Sequence, residues 1–151
     1  IMRTIPYPML LIFKLEDKRR FYVVHQRTSQ RDSSKNTIEE FIFTDWLGND
    51  SPLFAKLDIK QMKFTNFYTL YSDIVDTISV YNLSAVMPIN DKMTGAEARE
   101  LSSKIEDIDQ KIRSLRYKLK KETQFNRKME LNIEIKKLEQ RRNQLLGGDK
   151  E

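Results

Sequence analysis

Apolar residues in the last third of the chain, residues 94–146, recur at alternating intervals of four and three. They form two seams, which contain Leu101, Ile105, Ile108, Ile112, Leu115 and Leu119, and then Leu131, Ile135, Leu138 and Leu145. Such spacing places each seam on one face of an α-helix, and the other faces hold mainly Lys, Arg, Glu and Gln. The pattern predicts helices that pack through an apolar face, and it contains no reaction centre.

The two seams cannot face one partner from a single straight helix. Leu131 follows Leu119 by twelve residues, which rotates the second seam roughly 120° around the helix axis. A break near residues 122–126 would let the seams face each other in an antiparallel hairpin, with Asn126 as a candidate N-cap of the second helix. No Gly or Pro marks that bend, so a continuous helix that changes partners is the alternative.

Residues before position 94 contain three runs that are typical of β-strands. The run 9–15 is apolar on both faces, so we expect it to lie inside the sheet. Apolar alternation in residues 20–27 and 38–44 predicts two more strands, and polar turns between the runs favour an antiparallel meander. A strand that is buried on both faces needs two covering layers. We therefore expect that the tail, or a part of the protein outside this chain, provides the second layer.

Helical spacing of large apolar residues in 67–81 predicts one helix that covers the sheet, with Thr65 or Asn66 as its N-cap and Asn82 at its end. The predicted fold is therefore α+β, a three-stranded antiparallel meander with a packed helix, followed by a C-terminal helical hairpin or coiled coil. Thr94 begins a capping-box pattern that marks the start of the tail. The predicted organisation is a head over 1–83, incomplete at its N-terminus, a linker over 84–93, the helical tail over 94–146 and a frayed end over 147–151.

The composition excludes several kinds of chemistry. Because the chain has no cysteine and a single histidine, His25, it cannot form disulfides, Cys-type zinc sites or a His-based metal site. The four glycines do not form a phosphate-binding loop. Glu16, Asp17 and Lys18 are adjacent in a turn, whereas nuclease metal ligands are spread over two strands. We assign no catalytic residue, metal or cofactor. The apolar run 7–13 is too short for a membrane helix, so we expect a cytoplasmic protein without membrane contact.

A basic, polar stretch interrupts the apolar seams and is the best functional indication in the sequence. The net charge of +5 is concentrated in the tail, and such a surface can attract phosphates or an acidic protein face. The candidate partner-binding residues are Lys118, Lys120, Lys121, Gln124, Asn126, Arg127 and Lys128. A second candidate group, for phosphate or partner contact, is Arg27, Arg31 and Lys35 in the polar loop 28–37. For both groups the alternative is an ordinary solvated surface.

Three segments resemble a known family. Ile-Pro-Tyr-Pro-Met-Leu-Leu at 5–11, the strand end at 41–46 and the segment 121–132 with its Gln-Phe-Asn-Arg-Lys core are similar to an uncharacterised bacterial domain of unknown function. Genes of that family accompany helicase and DNA methyltransferase genes in restriction-type defence loci, and its members usually carry a further N-terminal α/β portion. The resemblance implies an accessory role, with a helicase or methyltransferase as protein partner, and it transfers no catalytic residues.

Together these observations predict a non-enzymatic accessory subunit of a bacterial restriction-type or anti-phage helicase system, which docks on protein or nucleic acid through its basic helical tail. In that mechanism the apolar seam anchors a partner helix while the cations of the tail meet an acidic surface or phosphates. Two alternatives stay open. One is a metal-dependent nuclease component completed by a missing N-terminal part. The other is a purely structural module that forms homodimers.

Overall fold

The computed structural model describes residues 7–28 and 36–147, with side chains for all of these except 25–28 and 36–39. The chain divides into two compact units, Ile1–Asn82 and Leu83–Glu151. The first contains the sheet and the helix predicted to cover it, and the second contains the long C-terminal helices.

The described part of the first unit contains an antiparallel sheet of three strands in the order β1-β2-β3. Its strands are β1 (Leu11–Leu15), β2 (Lys18–Thr28) and β3 (Asn36–Phe43). Glu16 and Asp17 connect β1 to β2 in a tight turn, in which Glu16 has a positive φ of 52°. The predicted α+β meander is confirmed.

The prediction that the run 9–15 lies inside the sheet is wrong. Within the described sheet β1 is an edge strand, and Ile12, Phe13 and Leu15 are each about half exposed. β2 is the central strand, although its apolar residues are confined to positions 21–24 and it begins with three cations. An antiparallel sheet can leave one face uncovered, so a central position in it does not require a run that is apolar on both faces.

One face of the sheet carries the core of the first unit. Two helices, α1 (Pro52–Lys56) and α2 (Phe67–Ser84), supply the residues that pack against this face. The buried cluster consists of Phe21, Val23, Ile42, Leu47, Leu53, Val75 and Ile78. Phe21 and Val23 point to the same side because side chains alternate along a strand, and burial of these apolar surfaces drives the packing.

Two asparagines near the ends of α2 have different roles. Asn66 Oδ1 accepts a hydrogen bond from the backbone N–H of Thr69 at 2.8 Å, which confirms the predicted N-cap at Asn66. Asn82 was expected at the helix end, but α2 continues to Ser84. The Asn82 side chain instead donates from Nδ2 to the backbone oxygen of Phe43 at 2.9 Å, so it ties the helix to β3.

The second unit contains α3 (Gly95–Lys121) and α4 (Phe125–Leu145). The predicted capping box opens α3, because the Thr94 hydroxyl accepts from the Glu97 N–H and the Glu97 carboxylate accepts from the Thr94 N–H. The helices are antiparallel, since Asp109 and Arg116 of α3 form ion pairs with Arg142 and Glu139 of α4, respectively. The break predicted in 122–126 lies at residues 122–124, and the alternative of one continuous helix is wrong.

The two seams face each other inside the hairpin. Ile108, Ile112 and Leu115 of α3 form a buried cluster with Ile135 of α4. Half-buried residues extend the cluster, namely Leu119, Leu131, Leu138 and Leu145. For the seam residues of this cluster the expectation that they anchor a partner helix is wrong, because they pack against each other across the hairpin. Within the described ranges, no helix combines the length and the apolar character needed to cross a membrane.

Candidate functional site at the tip of the hairpin

The bend between α3 and α4 is held by the side chain of Glu122. Its Oε1 accepts hydrogen bonds from the backbone N–H groups of Thr123, at 2.8 Å, and Gln124, at 2.9 Å. Gln124 is the N-cap of α4 but makes no side-chain capping bond. The prediction that Asn126 caps this helix is wrong, because α4 already begins at Phe125. A carboxylate that binds backbone donors thus replaces the Gly or Pro usually found at such a bend.

The structure gathers all seven predicted partner-binding residues at this end of the hairpin, which we call the tip. Each of the seven is exposed, and they are Lys118, Lys120 and Lys121 in the last turn of α3, the N-cap Gln124, and Asn126, Arg127 and Lys128 in the first turn of α4. The tip therefore presents five cations to solvent, together with two amide side chains that can donate and accept hydrogen bonds.

The helix dipoles stabilise the cations of α3 and disfavour those of α4. Lysines in the last turn of α3 lie at the negative end of that helix and are stabilised there. Arg127 and Lys128 lie in the first turn of α4, at its positive end, and that turn contains no acidic residue. A cation in this position is unfavourable by roughly 0.3–1 kcal/mol. Arg127 and Lys128 are therefore placed less favourably than the lysines of α3, although their attraction to the Glu122 carboxylate offsets part of this cost.

A groove of about 450 Å³ runs beside the tip between the two helices. Its lining combines three cations and three carboxylates with an aromatic ring and a leucine, namely Tyr117, Lys118, Lys121, Glu122, Arg127, Glu130, Leu131 and Glu134. Lys121 Nζ lies 4.3 Å from the centroid of the Tyr117 ring, a cation–π contact. Tyr117, Glu130 and Glu134 were missed from sequence, although the four-residue interval from Tyr117 to Lys121 was a usable signal. The mixed charges suit a polar protein surface better than a simple anion.

Glu122 is the acidic group closest in sequence to these cations, and its pKa is lowered. The largest cause is the hydrogen bond from the Gln124 N–H, followed by that from Thr123, and the charges of Arg127 and Lys128 act in the same direction. The lowered pKa favours the ionised carboxylate, which offsets part of the positive charge of the tip.

We expect an NMR titration to place the pKa of Glu122 below the usual value of about 4.3. Because the pKa is lower in the folded state, the ionised carboxylate stabilises the bend above the unfolded-state pKa, and this contribution is lost as the pH falls through the folded-state pKa. Glu122→Gln should remove that dependence and speed hydrogen exchange of the Thr123 and Gln124 amides. A Glu122 pKa at or above the usual value would contradict the observed hydrogen bonds.

The second predicted group is not assembled by the described residues. Arg31 and Lys35 lie outside them, and Arg27 is described only in its backbone, within β2. His25 is also in β2, where its backbone pairs with Glu40 at a register shift between His25 and Gln26. Among the side chains that the structure describes, no cluster of three or more His, Cys, Asp or Glu could hold a metal ion.

The protein thus combines an α+β unit with an antiparallel helical hairpin that has a basic tip. The chain belongs to the family described as Domain of unknown function (DUF4391), whose model matches residues 1–141. The match covers the first unit and most of the second, including the tip. No match to the chain is found among curated proteins or among solved structures.

Proposed function

We propose that this protein is a non-enzymatic interaction subunit of a bacterial restriction-type or anti-phage helicase system, and that it docks through the basic tip of its hairpin. The protein partner is a helicase or a DNA methyltransferase, as the resemblance of segment 121–132 and its companions implies. The surface that the tip recognises is an acidic protein face or the phosphates of nucleic acid.

The placement of Arg127 and Lys128 is the observation that carries this proposal. Their charges are unfavourable at the N-terminus of α4, and they lie among three further exposed cations. The attraction of these two cations to Glu122 compensates only in part, and residues that break a local rule of stability are typical of functional surfaces. An acidic partner would add to this compensation, because its negative charge would lie at the positive end of the helix.

The rigidity of the hairpin supports the same role. The buried seams fix α3 against α4, and the two hydrogen bonds of Glu122 fix the bend between them. The tip is therefore presented as a preformed surface on helical elements. A preformed surface reduces the conformational entropy that binding must overcome.

The test is charge reversal at the tip with the double variant Lys120→Glu plus Arg127→Glu. Binding to a helicase or methyltransferase of the proposed system, and to duplex DNA as a second probe, is measured by biolayer interferometry at low and high salt. We expect the variant to weaken binding to the true partner by tenfold or more, since four units of charge are changed, and to reduce its salt dependence.

The matched control is Lys111→Glu plus Arg113→Glu, which makes the same charge change at exposed positions in the middle of α3. We expect this control to retain most of the binding, because screening weakens charges beyond about 10 Å at 0.1 M salt. Binding that is unchanged by the tip variant, or equally weakened by both variants, would refute docking through the tip.

A further inference from the structure

The helix α4 has a second apolar face, which the hairpin does not use. Phe125, Met129 and Ile133 follow one another at intervals of four and are 73%, 50% and 51% exposed, respectively. At 100° per residue, these intervals keep the three side chains within an arc of roughly 80°. They form a continuous apolar stripe about 12 Å long, which we call the outer stripe.

The outer stripe lies on the side of α4 that faces away from α3. The residues of α4 that pack into the hairpin, Leu131, Ile135 and Leu138, point in a direction roughly 150° away from the centre of the stripe. Packing within the hairpin therefore does not explain the stripe. A contiguous exposed apolar surface on a helix is characteristic of a site that another element covers.

The surroundings of the outer stripe are basic. Lys128, Lys136 and Lys137 lie within roughly 100° of its centre on the helix surface, and all three are exposed. Of the two nearby carboxylates, Glu139 is already paired with Arg116 at 2.7 Å, and Glu130 lines the groove at the margin. The flanks of the stripe thus carry an excess of positive charge.

We infer that the outer stripe binds an amphipathic helix of a partner protein whose apolar face is flanked by Asp and Glu. This inference rests on the proposed function, because it names the kind of partner segment that the tip and α4 would engage. The stripe supplies three anchors at the spacing that helix-to-helix recognition uses, and acidic flanks would complement the surrounding lysines.

Charge distinguishes this occupant from the other candidates. A second copy of the chain would bring an equally basic stripe against this one, and like charges oppose such a contact. Duplex DNA would complement the lysines, but its phosphates give Met129 and Ile133 no apolar surface to cover. An acidic amphipathic helix satisfies both the apolar and the charged parts of the surface.

The experiment selects binders of the full chain from a displayed library of helical 20-residue peptides. We expect the enriched peptides to share apolar residues at i, i+3 or i+4 and i+7, with Asp or Glu beside them. Replacing Phe125, Met129 and Ile133 together by alanine should weaken the selected peptides at least tenfold. Alanine is a strong helix former and the three side chains are exposed, so circular dichroism should show the hairpin intact.

The control variant, Gln110→Ala plus Ser114→Ala, changes exposed residues on α3 and should leave peptide affinity within twofold of the unmodified chain. Peptides with Lys or Arg flanks, peptides that bind the triple variant equally well, or no enrichment at all would overturn the inference. Two further results would also overturn it: a dimer of the chain that the triple variant abolishes, or duplex DNA binding that the triple variant weakens.

The tip variant Lys120→Glu plus Arg127→Glu separates this inference from the proposed function. If the triple alanine variant loses the peptides and the native partner while the tip variant keeps both, the outer stripe is the docking surface and the basic tip is not. If the tip variant loses the native partner and the triple variant keeps both ligands, docking through the tip is supported and binding through the outer stripe is refuted.

Discussion

Replacing Ile112 with alanine is expected to lower the free energy of unfolding of the hairpin by about 2–4 kcal/mol. Ile112 is 5% exposed and lies in the middle of the cluster that joins α3 to α4. Truncation removes buried apolar surface and leaves a cavity, and a two-helix unit has few other contacts to compensate for it. The measurement is urea unfolding followed by far-ultraviolet circular dichroism, to which α3 and α4 contribute most of the helical signal.

Two further substitutions serve as controls for the destabilisation expected of Ile112→Ala. Ile112→Val removes a single methylene and should cost about 0.5–1.5 kcal/mol, whereas Ser114→Ala, at an exposed position two residues away, should change stability by less than about 0.5 kcal/mol. An Ile112→Ala variant as stable as the unmodified chain would mean that the two seams are not packed against each other. The tip would then lack the rigid support on which the proposed function depends.

The hairpin could be predicted because the spacing of apolar residues within one stretch of sequence determines it. The interval between Leu119 and Leu131 rotates one seam away from the other, and folding the chain back is the arrangement that lets both be buried. The position of the bend was less accessible, since it depends on hydrogen bonds from the Glu122 side chain to the next two backbone N–H groups. Such bonds form from many residue types and leave no fixed sequence signature.

The order of the strands in the sheet could not be predicted from the composition of each run. The apolar run 9–15 was expected to be central, yet strand order follows from pairing between distant residues, such as Tyr22 with both Leu11 and Phe43. An apolar run has the same composition at the edge of a sheet and at its centre. The pattern therefore predicted three antiparallel strands correctly and misplaced one of them.

Only part of the candidate surface was predicted from the sequence. The other part was missed for the same reason as the strand order, because it depends on contacts between distant residues. The cations of the tip were recognised because polar residues interrupt the seams. The outer stripe of Phe125, Met129 and Ile133 was missed, although its four-residue spacing is visible in the sequence. Periodicity identifies apolar faces of a helix but does not say which of two faces is buried, and only the contacts with α3 decide that for α4.

The hydroxyl of Tyr71 is expected to contribute substantially to the stability of the first unit. Its hydroxyl accepts a hydrogen bond from the Val24 N–H at 3.0 Å, and its single proton can be donated to the Val24 oxygen at 2.9 Å or the Met9 oxygen at 3.2 Å. Tyr71→Phe leaves these partly buried backbone groups without that partner, which should lower the free energy of unfolding by about 1–3 kcal/mol. Fluorescence of Trp46, the one tryptophan of the chain, reports unfolding of this unit.

The control for Tyr71 is Tyr68→Phe on the same helix. The Tyr68 side chain is 63% exposed, so removing its hydroxyl should change stability by less than about 0.5 kcal/mol.

Burial raises the pKa of Tyr71, against the opposing effect of its bonds to Val24 and Met9. The stability contributed by this group is therefore complete below the unfolded-state pKa of about 10 and is lost as the pH rises through the higher folded-state value. Alkaline destabilisation should be smaller in Tyr71→Phe than in Tyr68→Phe, and equal pH dependence in the two variants would show that the Tyr71 hydroxyl does not join β2 to the segment before β1.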